Sequence, residues 1–212
     1  KNLSQHDEGK TLKIILKTLE NLNYTVFFKV LNASNFGLPQ NRERVYIVAF
    51  RQDIESKKFN FPVPPNISTC LLDMLEKNPK NAKVIRRDDI EMYKEYIPQI
   101  NIFSEMTLLN KPIQIGKVNK GGQGERIYHP LGHAITLSAY GGGVGSKTGL
   151  YLIDGEIRKL SPRECARIQG FPDEFILNKA DTQTYKQFGN SVSINVLQNI
   201  LLEIVKILNI YE

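Results

Sequence analysis

The chain has little cysteine: two residues, Cys70 and Cys165, in 212, alongside three histidines. The two thiols are far apart and nothing accompanies them at metal-ligand spacing, so neither a disulfide framework nor a metal site is expected. Unpaired thiols of this kind suit a reducing compartment. Neither cysteine follows a proline. No apolar run approaches the ~20 residues that a membrane-spanning helix needs, and no basic-then-apolar leader opens the chain. There is no initiating methionine: Lys1 stands just ahead of a helical pattern, the way a fragment or processed chain begins. A phosphate-cradling loop is also missing. In Gly145-Ser146-Lys147-Thr148 a serine precedes the lysine, and Gly149 with a strand-like LYLI follows where that loop needs a helix N-terminus. A nucleotide-binding enzyme built on residues 141–148 is therefore a weak rival, one that ATP binding would revive.

What is present is the composition of a soluble globular protein, 41% hydrophobic and 24% charged, in one large domain or two small ones. A net charge of +6 and a pI near 9.2 permit a nucleic-acid partner. The most telling stretch is residues 118–143, VNKGGQGERIYHPLGHAITLSAYGGG. A glycine-rich tip around Gln123 precedes a short strand-like run over 134–140, and a second glycine cluster follows at 141–143. Glycines let a backbone take positive φ and approach another surface closely. Between Lys117 and Lys147 four basic residues (Lys117, Lys120, Arg126, Lys147) face one acid, Glu125. The pattern suits loops held up to a partner; a pair of solvated hairpin turns would account for it equally well.

Taken in order, residues 11–22 place Leu12, Ile15, Leu16, Leu19 and Leu22 on one helical face. Residues 24–31 alternate as a strand, and the continuously apolar 45–50 reads as a buried strand. The loop between them is longer than the ~2–5 residues of a usual hairpin and contains QNRER, with Gln40, Arg42 and Arg44. Two residues apart at a strand start, both arginines are expected on one face, where like-charge repulsion calls for an anion or polar ligand. FPVPP at 61–65 is a stiff break and a candidate boundary. Residues 69–76 read as a short helix burying Leu71, Leu72, Leu75 and a packed Cys70, and a helix over 88–96 is plausible. Ser161, Pro162 and Glu164 form a complete helix start, with Gly170 as its stop. Residues 192–208 form a last helix with Val192, Val196, Ile200, Leu201, Ile204 and Leu208 on its apolar face. Phe188-Gly189-Asn190-Ser191 reads as a turn delivering that helix.

QNRER, RKLSPRECARIQGFPDEF (158–175) and YKQFGNSV (185–192) occur in that order with a variable stretch between the first two. Together they resemble the C-terminal part of a DNA (cytosine-5) methyltransferase over nearly the whole chain. The resemblance implies an α/β fold: the C-terminal half of a Rossmann-like S-adenosylmethionine-dependent methyltransferase sheet plus a small, mainly-β target-recognition domain. It implies the second half of the catalytic domain in 1–72, target recognition in 73–160, a hinge helix in 161–189, and a final helix returning to the catalytic domain in 190–212. The two glycine tips are similar to those of a bacterial member that reads GCGC.

That family uses a thiolate in a Pro-Cys loop, an acid in Glu-Asn-Val and a glycine-rich cofactor loop; none occurs in this sequence. Lys1-Asn2 resembles the position just after Glu-Asn-Val, so the expectation is the remainder of an enzyme whose first half was removed or lies on another polypeptide, inactive alone. The alternative is a non-catalytic DNA-binding specificity subunit or degenerate remnant. The resemblance assigns Arg44 to the extruded cytosine, Arg42 beside it and Gln40 to positioning the loop. It assigns Gln123 to the hole left by the base, and Arg126, Tyr140 and Gly143 to bases or backbone. Thr136 and Ser138 would serve phosphates; Asn190, Ser191 and Val192 would line the S-adenosylmethionine pocket. Double-stranded DNA and an N-terminal half are the implied partners, with no membrane. The implied place is the bacterial cytoplasm at the nucleoid, within a restriction–modification system.

Overall fold

The computed structural model describes residues 3, 6–65, 67–93 and 110–208. Helix α1 (Lys10–Asn21) follows the expected one-sided pattern through Leu12, which is buried, and Ile15, Leu16 and Leu19, which are half-buried, but Leu22, expected on the same face, lies just past the helix and is 61% exposed. It stops where the Leu22 amide bonds back to the Thr18 and Leu19 carbonyls and Asn23 takes φ 63°. The chain then turns directly into β1 (Tyr24–Asn32), which pairs antiparallel with β2 (Glu43–Arg51) from Tyr24↔Arg51 to Asn32↔Glu43.

β2 is less buried than its apolar run suggests. Only Val48 and Phe50 are buried, because the sheet has two strands and one covered face. Leu31, Phe36, Phe50 and Phe59 meet Val196 and Ile200 there, whereas Phe28 and Val30 are exposed.

Residues 61–65 carry no regular secondary structure and lead to a 3-10 turn, Leu71–Met74. The helix expected over 69–76 is that single turn. It buries Leu71 but leaves Leu72 49% exposed, and it ends at Leu75, whose backbone is extended at ψ 147°; the Leu71 and Leu72 amides, free at the start of any helix, donate to the Gly132 and Pro130 carbonyls.

A five-stranded sheet follows in the order β3 (Ile90–Met92), β4 (Ile113–Val118), β5 (Arg126–His129), β6 (Leu150–Ile153), β7 (Glu156–Arg158). All neighbours are antiparallel except β5 and β6. β3 stands where a helix over 88–96 was expected; positions 94–96 lie outside the described residues. Charged residues hide its period of two, and Ile90↔Val118 pairing with β4 decides the conformation. Gly116 makes that pairing possible, since a Cβ there would meet the Glu91 carbonyl at 2.7 Å.

Helix α2 (Pro162–Ile168) has the expected start. The Ser161 hydroxyl accepts from the Glu164 amide, the Glu164 carboxylate accepts from the Ser161 amide, and Gly170 takes φ 83° just past the helix end. Glu164 also does something a capping box does not require: fully buried, it takes a bidentate ion pair from Arg158 at 2.8 Å and accepts from the Glu76 amide at 3.0 Å. α3 (Asp181–Asn190) takes in Phe188, Gly189 and Asn190 of the stretch read as a turn, and α4 (Ile194–Leu208) begins two residues later than expected. Val196 and Ile200 are buried on α4, but Val192, Leu201 and Leu208 are 38–49% exposed, so its apolar face is only partly covered. Among the described residues no single helix is long and apolar enough to cross a membrane.

Candidate functional site

Arg42 is 3% exposed. Its Nη1 donates to the Leu137 carbonyl at 3.3 Å, and its Nη2 donates to the carbonyls of Gly189 at 2.9 Å and Ser191 at 2.6 Å. One guanidinium therefore joins the loop before β2, the irregular run 134–140 and the junction of α3 with α4. Burial, and then the charge of Arg44, lower its pKa to about 10, which leaves it charged at neutral pH. The arginine pair is thus not presented jointly to a ligand. Carbonyl oxygens solvate Arg42, while Arg44 is half-buried and donates to the Glu43 carbonyl at 2.8 Å.

Gln40 is fully buried two residues earlier. Its backbone forms a parallel bridge to Ala134, whose amide donates to the Pro39 carbonyl at 2.7 Å. Its side-chain oxygen accepts from Gln169 Nε2 at 3.4 Å; that same nitrogen donates to the Phe188 carbonyl, and Gln169 Oε1 accepts from the Ser193 hydroxyl. Among the described residues, Gln40 Nε2 and Arg42 Nε have no hydrogen-bond partner. Sequence reasoning passed over Gln169; the available signal was an amide side chain at the helix end, between Ile168 and the Gly170 stop.

The run 134–140, expected to be strand-like, forms only the Ala134 bridge; residues 135–138 have no regular secondary structure and 139–140 bend. Thr136, Ser138 and Tyr140 alternate outward against buried Leu137 and Ala139. Gly189 holds α3 against this run: a Cβ there would stand 2.3 Å from the Ala139 nitrogen. Thr136 Oγ1 donates to the Asn41 carbonyl at 2.6 Å, a second tie between the run and QNRER.

The two glycine tips touch. A Cβ on Gly124 would lie 2.0 Å from the Gly142 carbonyl, and the Gly145 amide donates to the Gly124 carbonyl at 2.7 Å. They wall a cleft of about 110 Å³ lined by Gln123, Thr136, Ser138, Gly141, Ser146 and Lys147. The one acid is engaged by its own loop, since Glu125 accepts from Asn119 Nδ2 at 2.8 Å and the Gly122 amide at 2.9 Å, bonds that hold its pKa below the usual carboxylate value. Gln123, Arg126 and Tyr140 are left exposed, and Gly143 takes φ 81°. Asn190 and Val192 are exposed at the α3–α4 junction, with Ser191 half-buried between them.

The sequence model of the C-5 cytosine-specific DNA methylase family matches residues 1–206. The chain belongs to that family. M.HhaI, a type II methyltransferase of Haemophilus parahaemolyticus, is 47% identical over 210 residues, covering 99% of this chain and 62% of M.HhaI. M.SsoII of Shigella sonnei, also a type II methyltransferase, is 37% identical over 99% of this chain and 52% of its own length. This methylase chain thus spans between half and two thirds of those relatives. The solved structure of the Entamoeba histolytica methyltransferase EhMeth aligns over 95% of this chain and 59% of that one, with a TM-score of 0.62 at 19% identity, a likeness of fold.

Two further features bear on what this methylase chain does alone. Cys70 and Cys165 are 4% and 1% exposed. Burial raises both thiol pKa values, that of Cys165 far above the usual range, so each is held as a neutral, inaccessible thiol. In the 145–148 segment no helix follows; β6 begins at Leu150, and Thr148 is buried with its hydroxyl on the Gly149 carbonyl.

Proposed function

We propose that this chain is the C-terminal portion of a DNA cytosine-5 methyltransferase of the restriction–modification type, S-adenosylmethionine-dependent and base-flipping, reading a GCGC-like site in the bacterial cytoplasm. The observation that carries the reading is the Arg42 clamp, which gathers QNRER, the 134–140 run and FGNSV at one point. Family membership and the similarity to M.HhaI support it. Residues 1–72 and 190–212 would belong to the catalytic domain, 73–160 would read the target, and 161–189 would connect them.

Cytosine C5 and C6 are out of reach in the stack, so the base must leave the duplex. Arg44, at the start of β2 and anchored by its clamped neighbour, meets the extruded cytosine, its fixed charge suiting O2 and the adjoining phosphate. Arg42 acts through the loop it holds, and Gln40 supports the same loop from below. Gln123, with both a donor and an acceptor on its amide, meets the orphan guanine. Arg126 suits guanine O6 and N7 in the major groove, with Tyr140 and Gly143 beside it. Ser138 retains a hydroxyl proton for a phosphate, whereas Thr136 must first release the Asn41 carbonyl.

The α3–α4 junction suits the adenosyl ligand. The Asn190 amide is exposed with no hydrogen-bond partner among the described residues, and Val192 offers an apolar contact 43% exposed beside it. The bound cofactor supplies the methyl group. A reactive thiolate and the cytosine-binding acid come from residues outside these 212, on an N-terminal half, because the two thiols present are buried; the chain alone binds duplex DNA without turnover. If no such half exists, the same tips describe a non-catalytic specificity subunit.

The test is selective binding. The chain should prefer a GCGC duplex to a scrambled one, and Arg126→Ala should cost about 1–3 kcal/mol and relax one guanine position. Uniform weakening on all duplexes would make Arg126 a phosphate contact, and no preference in the unmodified chain would remove the reading.

A further inference from the structure

Beside the reading cleft the chain gathers lysines that have no ion-pair partner among the described residues. Lys159, half-buried, has Lys147 and Lys83 as the charges that lower its pKa after burial. Its amide donates to the Lys83 carbonyl at 3.0 Å, and its Nζ reaches Ser146 Oγ at 3.3 Å while lying 5.8 Å from the centre of the Tyr185 ring. The next residue on α3, Lys186, places its Nζ 5.4 Å from the centre of the Tyr140 ring. Lys147 lines the cleft with Gln123 and Ser138. Among the described residues none of Lys83, Lys147, Lys159 and Lys186 has an ion-pair partner.

Solvated lysines are the ordinary content of a basic surface, but two of these are held in place. Lys159 is fixed by a hydroxyl and a tyrosine face, and Lys186 by the ring of the exposed Tyr140. Lys147 takes φ 76°, a left-handed backbone that is costly for a residue other than glycine. Its carbonyl is bound by the Ser138 amide at 3.0 Å, which ties the strained turn to the wall of the cleft. Cations ordered before a ligand arrives lose less conformational freedom on binding it, and clustered cations without acids favour an anion.

We propose that Lys147, Lys159 and Lys186 form a phosphodiester grip that holds the backbone of duplex DNA along the α3 side of the reading cleft, separate from the base-reading of Gln123 and Arg126. The grip rests on the DNA-reading function above and adds to it a sequence-independent share of affinity. Each neutralised phosphate releases counterions, which makes the grip legible as salt dependence.

The experiment is fluorescence anisotropy of the full chain with a GCGC duplex and a scrambled duplex across a salt series. The triple variant Lys147→Gln/Lys159→Gln/Lys186→Gln should bind both duplexes more weakly by the same factor. Its slope of log affinity against log salt should flatten by about 0.9 for each phosphate that is no longer neutralised. The corresponding triple arginine variant, which keeps the charges, should restore the slope; a thermal melt of each variant separates weaker binding from unfolding. An unchanged slope in a folded glutamine variant that still prefers GCGC would overturn the grip and leave the reading function standing. Equal binding to both duplexes, unaffected by Gln123→Ala but weakened in the lysine variant, would support the grip and remove the reading function. No DNA binding by the unmodified chain would overturn both.

Discussion

The Arg42 guanidinium and the Gly189 carbonyl lie 2.9 Å apart across 147 positions of chain. The Leu137 and Ser191 carbonyls share that guanidinium, so removing it leaves three acceptors at a buried junction without their donor. Arg42→Met should destabilise the chain by about 1–3 kcal/mol, the cost of leaving neutral carbonyl acceptors unsatisfied. Arg44→Ala, at a half-buried position, should cost under about 1 kcal/mol. Urea midpoints with unchanged m-values check both; equal costs for the two would show that the clamp does not hold the junction.

Close backbone approach at the tips gives a second expectation. Gly124→Ala places a methyl group 2.0 Å from the Gly142 carbonyl and should force the tips apart, whereas Gly142→Ala meets nothing within 4 Å. The first should lose preference for the target duplex with a stability loss of about 1–3 kcal/mol, and the second should change stability by under about 0.5 kcal/mol. Duplex binding and thermal melts of the two variants decide it. Retained preference in Gly124→Ala would mean that tip contact is not what shapes the reading surface.

Much of this was legible in the sequence, and the failures have physical causes. The α1 pattern, the Ser161 capping box and the Gly170 stop were legible because each is local, set by residues within a turn of one another. β3 was not, since three residues among charges declare a strand only once β4 lies alongside. α3 was hidden because its low apolar content and Gly189 resemble a turn; Gly189 is there for contact with Ala139, 50 positions away. The burial of Arg42 was the largest miss. Charge spacing placed it beside Arg44 toward a ligand, and nothing local announces three carbonyls arriving from distant segments. Gln169 was missed for the same reason.

Acid sensitivity should come from two histidines. Burial lowers the pKa of His129 and His133 below the usual 6.5. The folded chain then binds fewer protons than the unfolded one as pH falls below that value. Their contribution is therefore complete above about pH 6.5 and is lost as pH drops toward the folded pKa values. Protonation also takes from the Leu131 amide its acceptor on His129 Nδ1. Urea midpoints should fall between pH 7 and pH 5, and His129→Gln with His133→Gln should flatten that fall. A midpoint unchanged over the interval would contradict the assignment. The surface carboxylates Asp53, Asp89 and Glu125, whose pKa values are lowered by their hydrogen bonds, act in a separate window below the usual carboxylate range.

The two thiols should be silent in the native state. Cys70 and Cys165 are buried, with raised pKa values, so a disulfide reagent should titrate none at neutral pH and two after denaturation. Rapid native labelling of Cys165 would show that the segment around α2 opens readily.

The most direct measurement is labelled methyl transfer to a GCGC duplex by this chain mixed with an N-terminal methyltransferase half that carries Pro-Cys and Glu-Asn-Val. Transfer should require both polypeptides and fall sharply with Arg44→Ala in this one. Turnover by the 212 residues alone, or transfer by the mixture that Arg44→Ala leaves unchanged, would contradict the account.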